Sequence, residues 1–96
     1  MEITEVKVFP RAAEAGEDQK LKAYASITFD DSFVVRGLRV IDGAKGLFVV
    51  MPSRKLSDGT FKDIAHPLNN GMRAEIVGKV LDKFHETSQV SINRAQ

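Results

Sequence analysis

The chain has 96 residues, of which 43% are hydrophobic, and its formal net charge is +1. This length fits a single domain with one modest core. The lack of cysteine excludes disulfides, thiolate metal sites and a catalytic cysteine, and the near-neutral charge confines any nucleic-acid contact to a local basic patch.

Two alternating apolar patterns open the chain and predict half-buried strands over residues 2–9 and 20–29. Val6 and Val8 share one face of the first strand. The second strand has one apolar face, formed by Leu21, Ala23, Ala25, Ile27 and Phe29. Residues 10–19 contain Gly16 and an acidic run, which favours a solvated hairpin loop between the two strands.

Two further runs, 33–41 and 47–51, are apolar on both alternating faces and are bounded by turn residues. Neighbouring strands of this kind need cover on both faces of their sheet, whereas one helix covers only one face. Pro52 ends the second run, 57–59 predicts a turn, and 60–65 favours one more short strand.

After His66 and Pro67 the pattern becomes helical, and Asn69 or Asn70 is a competent N-cap. The helix has one apolar stripe, which consists of Met72, Ile76, Val77, Val80, Leu81 and Phe84. Residues 88–96 are polar and without period, so we expect a flexible C-terminal tail there.

These elements predict an α+β fold, in which an antiparallel meander of four to five strands packs one C-terminal amphipathic helix on one face. We expect one domain over residues 1–87, followed by the tail at 88–96. The uncovered apolar face predicts a homodimer formed through a sheet face or edge. The alternative is that the first loop or the tail folds back over that face.

No segment is suited to a membrane, because the longest apolar stretch, 47–51, is far shorter than the roughly 20 residues of a membrane span. The start at 1–5 is acidic and strand-like, unlike a signal peptide. We therefore expect a cytoplasmic protein without a membrane partner.

The segment 51–63 carries the strongest functional signal. It sets Arg54 and Lys55 on one side of a turn and Phe61 and Lys62 on the other. Cations near a turn can follow a phosphate backbone, and an exposed aromatic can stack on an unpaired base. The competing interpretation is an ordinary solvated loop with Phe61 in the core.

Arg36 and Arg39 lie in the otherwise apolar third strand, on opposite faces if that strand is regular. Each needs a carboxylate such as Asp30, Asp31 or Asp42, or it must reach solvent or a ligand. An ion pair or a snorkelling side chain is favoured for Arg36, and the two interpretations balance for Arg39.

The sequence gives no indication of a catalytic site. His66 and His85 have no second catalytic group in evident reach, and no nucleophile-elbow or phosphate-loop motif is present. We therefore expect no enzyme activity, no catalytic or metal-binding residues, no cofactor and no small-molecule substrate.

A series of short stretches forms a specific combined pattern from residue 1 to about 86: MEITEV (1–6), ASIT (25–28), FVV (33–35), RVIDG (39–43), GLFV (46–49), MPS (51–53), DG (58–59) and DIAHP (63–67). Together they resemble the SpoVG (stage V sporulation protein G) family of bacterial regulators. That resemblance implies a compact sheet-plus-helix fold, dimerisation and binding to DNA and RNA. It also implies roles in cell-division septation, in sporulation where it occurs, and in control of gene expression.

The resemblance strengthens the interpretation of the basic residues as nucleic-acid contacts, because the family's basic positions fall on Arg54, Lys55, Lys62 and Arg39. Two departures lower the positive potential: a longer, more acidic first loop, and Glu75 in the helix. Our first hypothesis is a dimeric nucleic-acid-binding regulator in which Arg54, Lys55 and Lys62 contact phosphates, Arg39 extends that surface and Phe61 stacks on a base. The alternative is a protein-interaction adaptor of the division machinery without nucleic-acid binding.

Overall fold

The structure is a computed structural model that describes residues 1–11 and 20–95, with side chains through residue 87. Its main sheet has four antiparallel strands in the order β1-β2-β3-β4. They are β1 (Ile3–Pro10), β2 (Leu21–Phe29), β3 (Phe33–Gly43) and β4 (Gly46–Val50). A hairpin of β5 (Ser53–Lys55) and β6 (Phe61–Asp63) forms a second small sheet, and α1 (Asn70–Ala95) follows.

The predicted α+β meander is confirmed, with a refinement in the last strands. The sequence favoured a short strand over 60–65, and the structure forms β6 there, but β6 pairs with β5 and not with the main sheet. The main sheet therefore ends at β4, and β5 and β6 form a separate two-stranded sheet.

The core lies between one face of the main sheet and the helix. Ala23, Ala25, Ile27 and Phe29 are buried on β2, as the alternating pattern predicts. Ala23 pairs with the buried Val40 of β3, and Ala25 pairs with the buried Leu38. The helix contributes Ile76 and Val80, and the rest of its predicted stripe is partly buried against the same cluster. The predicted apolar stripe is thus the packed face of α1.

Asn69 is the N-cap of the helix, which decides between the two predicted candidates. Its Oδ1 accepts a hydrogen bond from the Met72 N–H at 2.7 Å, and its carbonyl accepts one from the Arg73 N–H at 3.1 Å. The first bond satisfies an N–H group that the first helical turn leaves without a partner, and the second is the first regular hydrogen bond of the helix.

A β-bulge in β3 corrects the prediction that Arg36 and Arg39 lie on opposite faces. Ala25 pairs with Leu38 and Ile27 pairs with Val35, so β3 has one residue more than β2 between these pairs. Gly37, with a φ of 86°, lies in this interval. The extra residue reverses the alternation, and both arginines project from the face of the sheet opposite the helix.

Two predicted segments remain untested. The loop at 10–19 falls largely outside the described residues. The helix backbone continues to Ala95, into the segment for which we expect a tail, but the side chains of 88–96 lie outside the described part. The division into a domain at 1–87 and a flexible tail therefore stays a prediction.

Candidate functional site

The hairpin sorts the predicted basic residues into two groups. Arg54 pairs directly with Lys62 across the two strands, so their side chains share one face of the hairpin. Both side chains are exposed. Like charges placed directly opposite each other repel, so this pair weakens the hairpin unless an anion neutralises it.

Lys55 and Phe61 form the other group. They pair with each other on the opposite face, next to the Ser53–Asp63 pair. Phe61 is 65% exposed, which rules out the interpretation of Phe61 as a core residue in this chain. The four predicted site residues of the hairpin are therefore not on one surface: Arg54 and Lys62 face one way, and Lys55 and Phe61 the other.

The turn of the hairpin is held by Asp58. Its Oδ1 accepts hydrogen bonds from the Thr60 hydroxyl at 2.6 Å and from the Thr60 N–H at 3.0 Å. These bonds stabilise the carboxylate and hold the pKa of Asp58 below its usual value of 3.8. Gly59, with a φ of 91°, completes the turn by donating from its N–H to the Leu56 carbonyl at 3.0 Å.

Arg39 connects the hairpin to the main sheet. Its Nη2 donates a hydrogen bond to the Ser53 Oγ at 3.2 Å. Ser53 lies on the same face of the hairpin as Lys55 and Phe61. Arg39 therefore adjoins the Lys55–Phe61 group and not the Arg54–Lys62 pair.

The face of the main sheet opposite the helix, here called the open face, carries aromatic and charged side chains. Residues paired across the strands form a row of Phe9, Tyr24, Arg39 and Val50. Phe9 is 54% exposed and Tyr24 is 45% exposed. The remaining members are Glu5, Lys7, Ser26, Thr28, Val34, Arg36, Ile41 and Phe48.

The sequence analysis missed Phe9 and Tyr24 as candidate binding residues. Both occupy outward positions of β1 and β2, where the alternating pattern calls for polar residues. An aromatic residue at such a position is the signal that identifies them. For Arg36 the prediction was an ion pair or a snorkelling side chain. Arg36 has no carboxylate partner in the described part of the chain, and its side chain is exposed, which agrees with the second of these interpretations. Asp30 Oδ1 accepts from the Glu2 N–H at 2.9 Å.

The cations of the hairpin have no carboxylate partner within residues 1–11 and 20–95. Two ion pairs elsewhere in the described residues join Lys7 to Glu5 at 4.0 Å and Lys83 to Glu86 at 3.5 Å. Neither pair involves the hairpin, so Arg54, Lys55 and Lys62 are available to an external anion. Within residues 1–11 and 20–95 no group of three or more His, Asp or Glu side chains is placed to hold a metal ion.

The family model for SpoVG matches residues 1–86, which include the main sheet, the hairpin and most of the helix. The chain belongs to the SpoVG family. The described part of the chain contains one helix, α1, and this helix is not long and apolar enough to cross a membrane.

Individual relatives support the assignment to SpoVG. The chain is 54% identical over 84 residues to a protein of Anaeromyxobacter sp. (strain Fw109-5), covering 88% of this chain and 81% of the relative. It is 55% identical over 86 residues to one of Bdellovibrio bacteriovorus, covering 90% and 75%. A protein of Macrococcus caseolyticus is 50% identical over 90 residues, covering 94% and 75%. Each of these relatives is named "Putative septation protein SpoVG".

Proposed function

We propose that this chain is a cytoplasmic, homodimeric regulator that binds nucleic acid and takes part in septation. The observation that carries the proposal is the Arg54–Lys62 pair of the hairpin, in which two exposed cations lie side by side without a carboxylate. A phosphate placed between them offsets their mutual repulsion. The role in septation rests on the names of the relatives.

The hairpin is suited to phosphate contacts because Arg54 and Lys62 are exposed and its turn is held by hydrogen bonds. These bonds are the two to Asp58 and the Leu56–Thr60 bond, in which the Leu56 N–H donates to the Thr60 carbonyl at 2.7 Å. They keep the backbones of the two strands in register, so both cations start from one face of the hairpin and less order has to be imposed on binding. Contacts to phosphate carry no base information, so this part of the surface gives affinity rather than sequence preference.

Self-association is best supported at the end of the sheet where the helix begins. An apolar crevice of about 170 Å³ opens there between Phe29, Met51 and Met72. Two large apolar side chains in its lining are strongly exposed, Met1 at 74% and Phe33 at 65%, and Leu68, which follows the lining residue Pro67, is 90% exposed. A two-fold contact between copies buries such a patch on both partners.

The test of nucleic-acid binding is fluorescence anisotropy with labelled single-stranded RNA and with duplex DNA, titrated at several salt concentrations. We expect the logarithm of affinity to fall linearly with the logarithm of salt. The Arg54→Ala and Lys62→Ala double variant loses two phosphate contacts, so its slope is flatter by about 1.8 on duplex and about 1.4 on single strands. The Arg73→Ala and Lys79→Ala double variant removes the same two charges from exposed positions of the helix and serves as the control for net charge.

Absence of binding by the wild-type chain at low salt overturns this function. The adaptor then becomes the working hypothesis, and the apolar patch around Leu68 is the surface through which it would hold a protein partner. The dimer is tested separately by analytical ultracentrifugation of the wild type and of Leu68→Glu. A wild-type monomer at micromolar concentration contradicts the homodimer, and a dimeric Leu68→Glu contradicts the contact at the crevice.

A further inference from the structure

The open face of the main sheet holds a groove that neither the hairpin nor the dimer contact uses. It has a volume of about 560 Å³ and runs across β1, β2 and β3. Phe9 and Tyr24 flank it as a directly paired aromatic couple, and Arg36 and Lys7 contribute cations. Ser26 and Thr28 add hydroxyl groups to the same groove.

We propose that the open face binds a single strand of nucleic acid, with two neighbouring bases stacked on Phe9 and Tyr24 and phosphates contacted by Arg36 and Arg39. This inference rests on the proposed nucleic-acid function and assigns the single-stranded partner to a surface separate from the Arg54–Lys62 pair. The hairpin then binds phosphate of any form, and the open face selects unpaired bases.

Geometry supports two stacking positions. Directly paired residues on adjacent antiparallel strands have Cβ atoms about 4.5–5.5 Å apart, so the two rings lie within reach of successive bases of a splayed strand. Each ring is about half exposed, which leaves one surface for a base while the rest packs on the sheet. Exposed aromatics on neighbouring strands of a four-stranded sheet are a general way to hold unpaired bases.

Charge supports a polyanion as the occupant. The open face has three cations, Lys7, Arg36 and Arg39, and one carboxylate, Glu5, which already lies 4.0 Å from the Lys7 Nζ. Arg36 has no carboxylate partner within the described residues. The face is therefore net positive at its centre, next to its aromatic row.

The same charges argue against a second copy of the chain on this face. A face-to-face sheet contact would bury Arg36 without a carboxylate and bring it close to another copy's cations. The groove also breaks the flat surface that sheet packing requires, because the bulge at Gly37 displaces β3 locally. A flexible strand can follow a groove and neutralise Arg36, whereas a rigid sheet cannot.

The β-bulge makes this surface possible. Without the extra residue in β3, Arg36 would lie on the helix side and the open face would have one arginine fewer. The bulge is the feature that gathers Arg36, Arg39 and the aromatic couple on one surface.

The composition offers a direct probe, because the chain has one tyrosine and no tryptophan. Tyrosine emission therefore reports on Tyr24 alone. We expect a short oligouridylate to quench this emission on binding, because a base stacks on the ring, whereas duplex DNA of the same length leaves it largely unchanged. A titration of free N-acetyltyrosinamide corrects for light absorbed by the nucleic acid.

Anisotropy then measures what the two rings contribute. Loss of stacking on one base lowers affinity by a factor of about five or more, so Phe9→Ala with Tyr24→Ala lowers oligouridylate affinity by about 25-fold or more and leaves duplex affinity nearly unchanged. Tyr24→Phe keeps the ring and keeps the affinity. His85→Ala, which removes an exposed ring from the helix and not from the groove, is the control and binds like the wild type.

The outcomes separate this proposal from the function on which it rests. Equal oligouridylate affinity in the double aromatic variant and the wild type, with weaker binding in the Arg54→Ala and Lys62→Ala variant, overturns the stacking surface and leaves the regulator in place. No binding of either nucleic acid by the wild type overturns both. If the aromatic variant instead changes only the molecular mass, from dimer to monomer, the open face is a self-contact and the proposal is wrong.

Discussion

Arg39 on the third strand donates a hydrogen bond to the hydroxyl of Ser53 on the hairpin, with 3.2 Å between Nη2 and Oγ. This side-chain bond ties the open face to the hairpin. It also keeps the Arg39 guanidinium in the row formed by Phe9, Tyr24 and Val50. The serine hydroxyl therefore contributes to the orientation of the hairpin relative to the sheet, together with the buried Met51 and Pro52 that precede β5.

Ser53→Ala should loosen the hairpin. The variant loses a partly buried hydrogen bond to a charged group, and we expect a decrease of about 1 kcal/mol in the free energy of unfolding, measured by urea denaturation. Amide hydrogen exchange should also become faster in β5 and β6 than in the main sheet. Ser57→Ala, in the exposed turn, is the matched control. Equal effects of the two substitutions would show that the Arg39 bond contributes nothing.

Lys62→Glu should raise the stability of the chain and lower its affinity for nucleic acid. The new carboxylate faces Arg54 across the hairpin and replaces a repulsive pair by an attractive one, which stabilises by about 0.2–1 kcal/mol. The same change puts a negative charge where a phosphate would bind, so nucleic-acid affinity falls. Lys55→Glu faces Phe61 and gains no such partner. Thermal unfolding and anisotropy on both variants check the prediction, and a loss of stability in Lys62→Glu would contradict the direct Arg54–Lys62 pairing.

Replacing glycine by alanine should have opposite effects at two positions. Gly37 has a φ of 86°, in the left-handed region, so Gly37→Ala costs about 1–3 kcal/mol in backbone strain. An added Cβ at Gly78 meets nothing within 4 Å, and alanine in an exposed helical position is favoured by about 0.8–1.0 kcal/mol. Urea unfolding of both variants measures the free energy of unfolding, which should decrease for Gly37→Ala and increase for Gly78→Ala. A neutral Gly37→Ala would mean that the bulge does not need this backbone conformation.

Low pH should weaken the turn of the hairpin, because protonation of Asp58 weakens its hydrogen bonds with Thr60. The pKa of Asp58 is lowered in the folded chain by its two hydrogen bonds from Thr60. A group with a lowered folded pKa stabilises the fold above its unfolded pKa, and that contribution disappears as the pH falls through the folded value. The Thr60 amide resonance should therefore titrate with a midpoint below 3.8, the usual value for this side chain. Asp58→Asn removes the titration, and a midpoint at or above 3.8 would contradict the hydrogen bonds.

Much of the fold followed from the sequence because its signals are local. The alternation over 20–29 predicted the buried residues of β2, and the stripe from Met72 to Phe84 predicted the packed face of the helix. Asn69 was one of two proposed caps, and only the side-chain geometry separated them. The second strand of the hairpin was predicted near 60–65, but its partner was not.

The candidate site was predicted in part. The sequence singled out Arg54, Lys55, Phe61, Lys62 and Arg39, and the structure places Arg54 with Lys62 and Phe61 with Lys55. Proximity along the chain suggested one cluster, whereas adjacent strand residues alternate between faces. Phe9 and Tyr24 were missed because residues far apart along the chain form that couple only through the β1–β2 register.

The amino-acid pattern was enough to predict the four strands of the main sheet, the turns between the later ones, the apolar stripe of the helix and the resemblance to the SpoVG family. Those properties depend on neighbouring residues, whose spacing is fixed by the period of a strand or a helix. The tertiary structure alone decided which side chains share a surface. Register and bulges are set by pairing between distant strands, and one extra residue at Gly37 was enough to move Arg36 to the face of Arg39, Phe9 and Tyr24.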